Sequence, residues 1–199
     1  MKFILAIPAL FILSACATVR PGNQSAEVRA EQTLSVSLAA LDSFVAFEHR
    51  RRADVPPLVR DVAARVRLNA PRALDSANAL RLAYKGNRSE DNRAGLLTAL
   101  AVVESLVSEI RVWVPATAAS GPGASPVADL IREARASQTV TAQSWVALVP
   151  VFVDLAREVW SVVNRTREAV KQDAEWTLAE EADFAVKLAA LKTAEHWRQ

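Results

Sequence analysis

Apolar residues recur at alternating steps of four and three along most of the chain, the spacing that lines one face of an α-helix. Leu34, Leu38, Leu41 and Val45 make the first such stripe, and Glu48 takes the next position on it. This stripe, widened by Phe44 and Phe47, predicts a helix from about Ala26 to Arg52. Asp54-Val55-Pro56-Pro57 ends it, because proline lacks the amide the ladder needs and restricts the residue before it. A second helix starts at Pro56 or Pro57 and carries Val59, Val62 and Val66, then Leu74, Ala77, Arg81 and Tyr84. Pro71 lies inside that pattern, so a kink or break is expected there. Gly86-Asn87 closes the helix.

Ser89, followed by Glu90 and Asp91, reads as an N-cap with acidic residues in the first turn. Leu96, Leu100, Val103, Val107, Ile110 and Val114 then form the clearest stripe in the chain, stopped by Pro115. Residues 115–126 hold Gly121, Pro122, Gly123 and Pro126 and predict a hinge loop. A fourth helix is expected over about 127–148. A fifth follows through Phe152, Leu155, Val159, Val162 and Thr166 to about Asp173. Between these two, the nine apolar residues Trp145 to Val153 are interrupted by Pro150 and read as a buried crossing, too short to span a bilayer. Thr177-Leu178-Ala179-Glu180 has capping-box spacing and opens a sixth helix lined by Phe184, Leu188 and Leu191, ending near His196-Trp197. No stretch shows the strict alternation of a half-buried strand. The predicted class is all-α, a bundle of about five to six amphipathic helices.

The first residues break this pattern. Lys2 precedes thirteen uncharged residues, Phe3 to Ala15, and then Cys16. A positive start and an apolar run of this length are the marks of a secretory signal. A membrane-spanning helix needs roughly 20 apolar residues. Leu13-Ser14-Ala15-Cys16 resembles the lipobox of bacterial lipoproteins, over about the first 16 residues. The resemblance implies recognition of Leu13, Ser14 and Ala15 by the lipoprotein signal peptidase, cleavage before Cys16, and covalent diacylglycerol and an N-acyl chain such as palmitate on Cys16. Ala17, rather than Asp, implies sorting to the periplasmic face of the outer membrane. Cys16 is the only cysteine, so an internal disulfide is excluded. The chain divides into a signal peptide 1–15, a lipidated tether 16–25 and a helical domain 26–199. The tether, rich in Pro21, Gly22 and Asn23, reaches on the order of 30 Å when extended.

Charge adds a polarity. Residues 20–93 carry 13 basic against 9 acidic side chains, and residues 94–199 carry 10 against 13. Arg50, Arg51 and Arg52, with Arg60 and Arg67 further on, form the strongest basic feature, a candidate patch for anionic lipid or polymer. A solvated helix face is the plainer reading of the same residues. Nucleic acid is not expected as a partner of an exported chain.

Catalytic chemistry is sparse. His49 and His196 are the only histidines, neither with a second histidine at helical spacing, so no metal site is expected. The chain has five glycines, no Gly-x-Ser-x-Gly and no glycine-rich phosphate loop. Glu104, Glu109 and Asp154 are carboxylates that folding could bring together, but spacing does not select them. Of the tryptophans at 113, 145, 160, 176 and 197, those at 145 and 160 sit on apolar stripes, while Trp176 and Trp197 flank the last helix in polar surroundings. The expectation is a non-enzymatic binding or scaffolding lipoprotein of the envelope, without a cofactor. The alternatives are a phage-encoded lysis or superinfection-exclusion lipoprotein, from which the length departs, and an envelope enzyme with an unrecognised carboxylate site.

Overall fold

The computed structural model describes residues 25–111, 113, 142–170 and 174–198, with side chains of the third stretch described from residue 150 onward. Among these residues the chain is helical and contains no strand. The helices are α1 (Ala26–Arg50), α2 (Pro57–Gly86), α3 (Glu90–Arg111), α4 (Ala142–Ala169) and α5 (Leu178–Thr193), followed by a 3₁₀ turn, Glu195–Trp197. The lipobox, the tether up to residue 24, the hinge at 115–126 and most of the expected fourth helix lie outside the described residues.

Each helix end has a local cause. The Ser25 hydroxyl accepts from the Val28 amide at 3.2 Å and starts α1. Pro57 occupies the first turn of α2, where a missing amide costs nothing. The Asn92 side chain donates to the Asn87 carbonyl at 2.8 Å, closing the α2–α3 corner, and the Ser89 hydroxyl caps α3 by accepting from the Asn92 amide. A Cβ at Gly95 would lie 3.5 Å from Leu80, an ordinary contact, so the α2–α3 packing there does not require glycine. The Thr177–Glu180 capping box forms in full.

α1 is the central element, packing against every other described helix and against the terminal turn. Leu34, Leu41, Phe44 and Val45 on it are fully buried, and Val59, Val66, Leu74, Leu96, Val103 and Leu155 come in around them.

Three details depart from the sequence pattern. α2 runs without a break through Pro71. A single proline removes one ladder bond, and the packing of Ala70, Leu74 and Ala77 on either side keeps the helix continuous. Likewise Pro150 falls within α4, which begins at Ala142 and joins the end of the expected fourth helix to the fifth. On α4 the buried stripe is Phe152, Leu155, Ala156, Val159 and Val163. Val162 and Thr166 are half-buried, the Thr166 hydroxyl donating back to the Val162 carbonyl.

Candidate functional site

The stripe on α1 continues past its leucines in both directions. Glu27 and Glu31 precede Leu34 at the same alternation of four- and three-residue steps, and Glu48 follows Val45, so both ends of a buried face are carboxylates. α2 carries the complementary stripe, Arg67, Ala70, Leu74, Ala77 and Arg81, with a guanidinium at each end. Because α1 and α2 join through a short turn and run antiparallel, the two stripes meet end to end and form two ionic centres.

At one centre Arg81, 1 % exposed, bridges Glu31 at 2.9 Å and Glu181 of α5 at 3.0 Å. Its guanidinium also lies 4.9 Å from the ring of Trp176. Lys85 donates to Glu181 at 2.5 Å, and Arg88 reaches both Glu27 at 3.0 Å and Glu175 at 2.6 Å. The Trp176 amide completes Glu31 at 2.8 Å. Burial raises the Glu31 pKa, opposed by that amide and by Arg81. Glu181 goes the other way, held low by the hydrogen bond from Lys85, while the same bond raises Lys85. Oxygens of Glu27, Glu31 and Glu181 lie within 4.8 Å of one another, a spacing a cation could use. The centre already contains its own cations: Arg81 and Lys85 take the Glu31 and Glu181 oxygens. Glu27 Oε1, buried without a hydrogen bond, still faces Lys85 at 3.8 Å and Arg81 at 4.0 Å. The arrangement is an ion-pair lock between α1, α2 and α5.

At the other centre Arg67 pairs with Glu48, both buried, and its Nε donates to the carbonyl of His196 at 2.6 Å. Asp42 accepts from the Trp197 indole at 2.8 Å, and the same oxygen lies 2.8 Å from His196 Nε2. These contacts hold the C-terminal turn against α1 and bury Trp197. His49 and His196 come together, ring centroids 6.5 Å apart, a pairing that their sequence positions do not announce.

The structure therefore divides the basic patch. Arg67 is withdrawn into the interior because Glu48 and the His196 carbonyl need its donors. Arg60 is half-buried in the first turn of α2. Arg52 pairs with Glu48 at 3.4 Å. Arg50 pairs with Glu158, and Arg51 with Asp54 and Asp154, at an open mouth of about 420 Å³ between α1 and α4 that Phe47, Arg157 and Ser161 also line. Three guanidiniums and two carboxylates face this mouth, so its surplus of positive charge is small. The carboxylates Glu104, Glu109 and Asp154 are not assembled into a reactive pair: Glu109 meets Arg65 at 3.3 Å, Asp154 meets Arg51 and Arg157, and Glu104 is exposed on α3.

The tryptophans also find places. Trp113 stacks on Phe152 with centroids 6.0 Å apart, and Trp176 packs on Phe184 at 4.9 Å. Trp160 is half-buried, and the side chain of Trp145 lies outside the described residues. No helix among the described residues is long and apolar enough to cross a membrane. No family model, curated protein or solved structure matches the chain.

Proposed function

We propose that this chain is an acylated lipoprotein of the bacterial envelope whose helical body serves as a binding or scaffolding module beside the bilayer. The observation that carries the reading is Cys16, the chain's sole cysteine, standing directly after Leu13-Ser14-Ala15 at the end of an apolar leader. An acyl chain contributes about 0.8 kcal/mol per buried methylene, so several chains on one sulfur and one amine anchor the protein durably. The body starts at Ala26, ten residues beyond the cysteine, which keeps it within a few tens of ångströms of the headgroups.

The test is acylation and sorting in a diderm host. Wild-type chain is expected to incorporate an alkynyl palmitate analogue and to fractionate with the outer membrane. Cys16→Ser should lose the label and retain its leader, and Ala17→Asp should keep the label but remain in the inner membrane. Label persisting in Cys16→Ser would refute the assignment of the acylated atom. An unlabelled wild-type chain would refute the lipoprotein reading altogether.

A further inference from the structure

One side of α5 carries no charge along its whole length. With 3.6 residues to the turn, Leu178, Ala182, Ala185, Val186, Ala189 and Thr193 fall within about 100° of one another, and all six are exposed. Phe184, Leu188 and Leu191, the buried residues of the same helix, lie on the side turned to the body. Leu178 is 83 % exposed and Val186 68 %, the two highest exposures of large apolar side chains among the described residues. Leu82, also exposed, widens the strip, since it stands on the same row of α2 as Asp75, which pairs with Lys192 at 2.7 Å. A continuous apolar strip on the outside of a folded chain marks an interaction surface.

The strip is complementary to itself. Its six residues follow one another at steps of four, three, one, three and four, the same in both directions. A second copy laid antiparallel, with a two-fold axis between Ala185 and Val186, therefore sets Leu178 against Thr193, Ala182 against Ala189 and Ala185 against Val186. Each pair has a small member, so the helix axes can approach to about 8 Å, the near end of the usual range. Such an axis also brings each edge of the strip against the same edge of the other copy. Asp183 and Lys187 stand on one edge, paired within the helix at 2.6 Å, and both are well exposed. An ammonium has three donors and a carboxylate two oxygens, so each keeps capacity for a second partner. Across the axis Asp183 comes to Lys187 of the second copy, and Lys187 to its Asp183. A lipid surface gains less from this strip, because its alanines lack the bulk of the Leu, Phe and Trp side chains that drive insertion.

We infer that this strip is the contact between two copies of the chain, their α5 helices antiparallel about a two-fold axis between Ala185 and Val186. A helix of 16 residues is about 24 Å long, so the contact is at the small end of specific interfaces and the pair is a weak one. The inference adds self-association to the module proposed above and does not depend on the anchor at Cys16.

Cross-linking of single-thiol chains tests it. Cys16→Ser removes the natural cysteine, so the outcome is the same whether or not the wild-type chain is acylated. In that background the full chain carrying Val186→Cys, held in detergent at micromolar concentration, is expected to give a dimer with a short bismaleimide. Leu178→Cys should not, because two such residues would stand about 22 Å apart along the pair. Mixing it with Thr193→Cys chain should restore the link. Asp183→Lys should lower the Val186→Cys yield at least fivefold, and the charge swap Asp183→Lys with Lys187→Asp should regain it, thermal melting being unchanged throughout. A Val186→Cys thiol that takes up a monomaleimide but gives no dimer would overturn the proposal. So would equal yields at 178 and 186, or a swap that regains nothing. A thiol closed to the monomaleimide in a monomeric chain would overturn it in favour of another segment of this chain as the cover. A dye on that thiol shifting to the blue with phosphatidylcholine vesicles, without a dimer, would overturn it in favour of a lipid surface. Failure here with the wild-type chain still acylated would leave the anchored module standing.

Discussion

Arg81→Met is expected to cost about 3–5 kcal/mol of folding stability, the loss typical when one partner of a buried ion pair is removed. The side chain is 1 % exposed, and its loss strands Glu27 and Glu31, which are 0 % and 1 % exposed. Methionine fills the apolar volume, so the effect reports charge and not a cavity. Urea unfolding followed by circular dichroism measures it. The pH dependence gives the sign. A buried carboxylate without its cation has a raised folded pKa, so the folded state binds more protons than the unfolded one and stability rises as pH falls. Arg81→Met should therefore recover part of its loss as the pH drops from neutrality towards 5. Glu181 has a depressed pKa in the wild type, which contributes stability above the ordinary carboxylate range and loses it as pH falls through the lower folded value. Glu31, raised by burial, offsets this in the range above that, its cost easing as it takes up a proton. The wild type should hold its stability over mildly acid pH and lose it only below about pH 4. Adding Glu31→Gln to Arg81→Met should restore stability relative to the single variant. A loss under about 1 kcal/mol for Arg81→Met would mean that the cluster is a decoration of a core that stands without it.

Arg67→Met should act at the other end of α1 with an effect of about 3 kcal/mol, somewhat smaller because Arg52 still reaches Glu48 at 3.4 Å. Its distinguishing effect is local. The His196 carbonyl loses its donor, and among the described side-chain hydrogen bonds only those to Asp42 then tie the C-terminal turn to α1. Trp197, now 7 % exposed, should become accessible, read as a red shift of its emission and quenching by acrylamide that a Trp197→Phe background abolishes. Asp42→Asn should leave Arg67 and Glu48 paired and release the turn only partly. A stable Arg67→Met chain whose Trp197 remains shielded would show that apolar packing, and not the ionic clasp, seats the terminus.

Much of this architecture is legible in the residues. The α1 stripe runs onto Glu48 and the α2 stripe onto Arg81, and both are buried, although Glu48 beside His49 reads from the sequence as a helix-end surface residue. Ser89, the Thr177–Glu180 box and the three apolar residues of α5 also fall where local chemistry puts them. What the pattern conceals is partnership. Glu27 and Glu31 continue the leucine row at the same alternating steps, but a carboxylate at the end of a stripe reads as the point where burial stops. Arg67 illustrates the converse, since next to Arg50–Arg52 and Arg60 it reads as one more surface cation. Only the antiparallel closure of α1 on α2 reveals that each charge at a stripe's end has an opposite charge waiting. Pro71 and Pro150 show a different limit. At Pro71 local propensity predicts a kink or a break, and α2 continues unbroken with Ala70, Leu74 and Ala77 buried on either side; α4 likewise continues through Pro150.

The proposed lipid anchor at Cys16 decides both address and role, and an intact mass of the protein extracted from membranes with detergent tests it most directly. The account predicts a species that lacks residues 1–15, begins at Cys16, and carries the added mass of a diacylglyceryl group and one further acyl chain. A species beginning at Met1, or one cut elsewhere with a free Cys16 thiol, would contradict it.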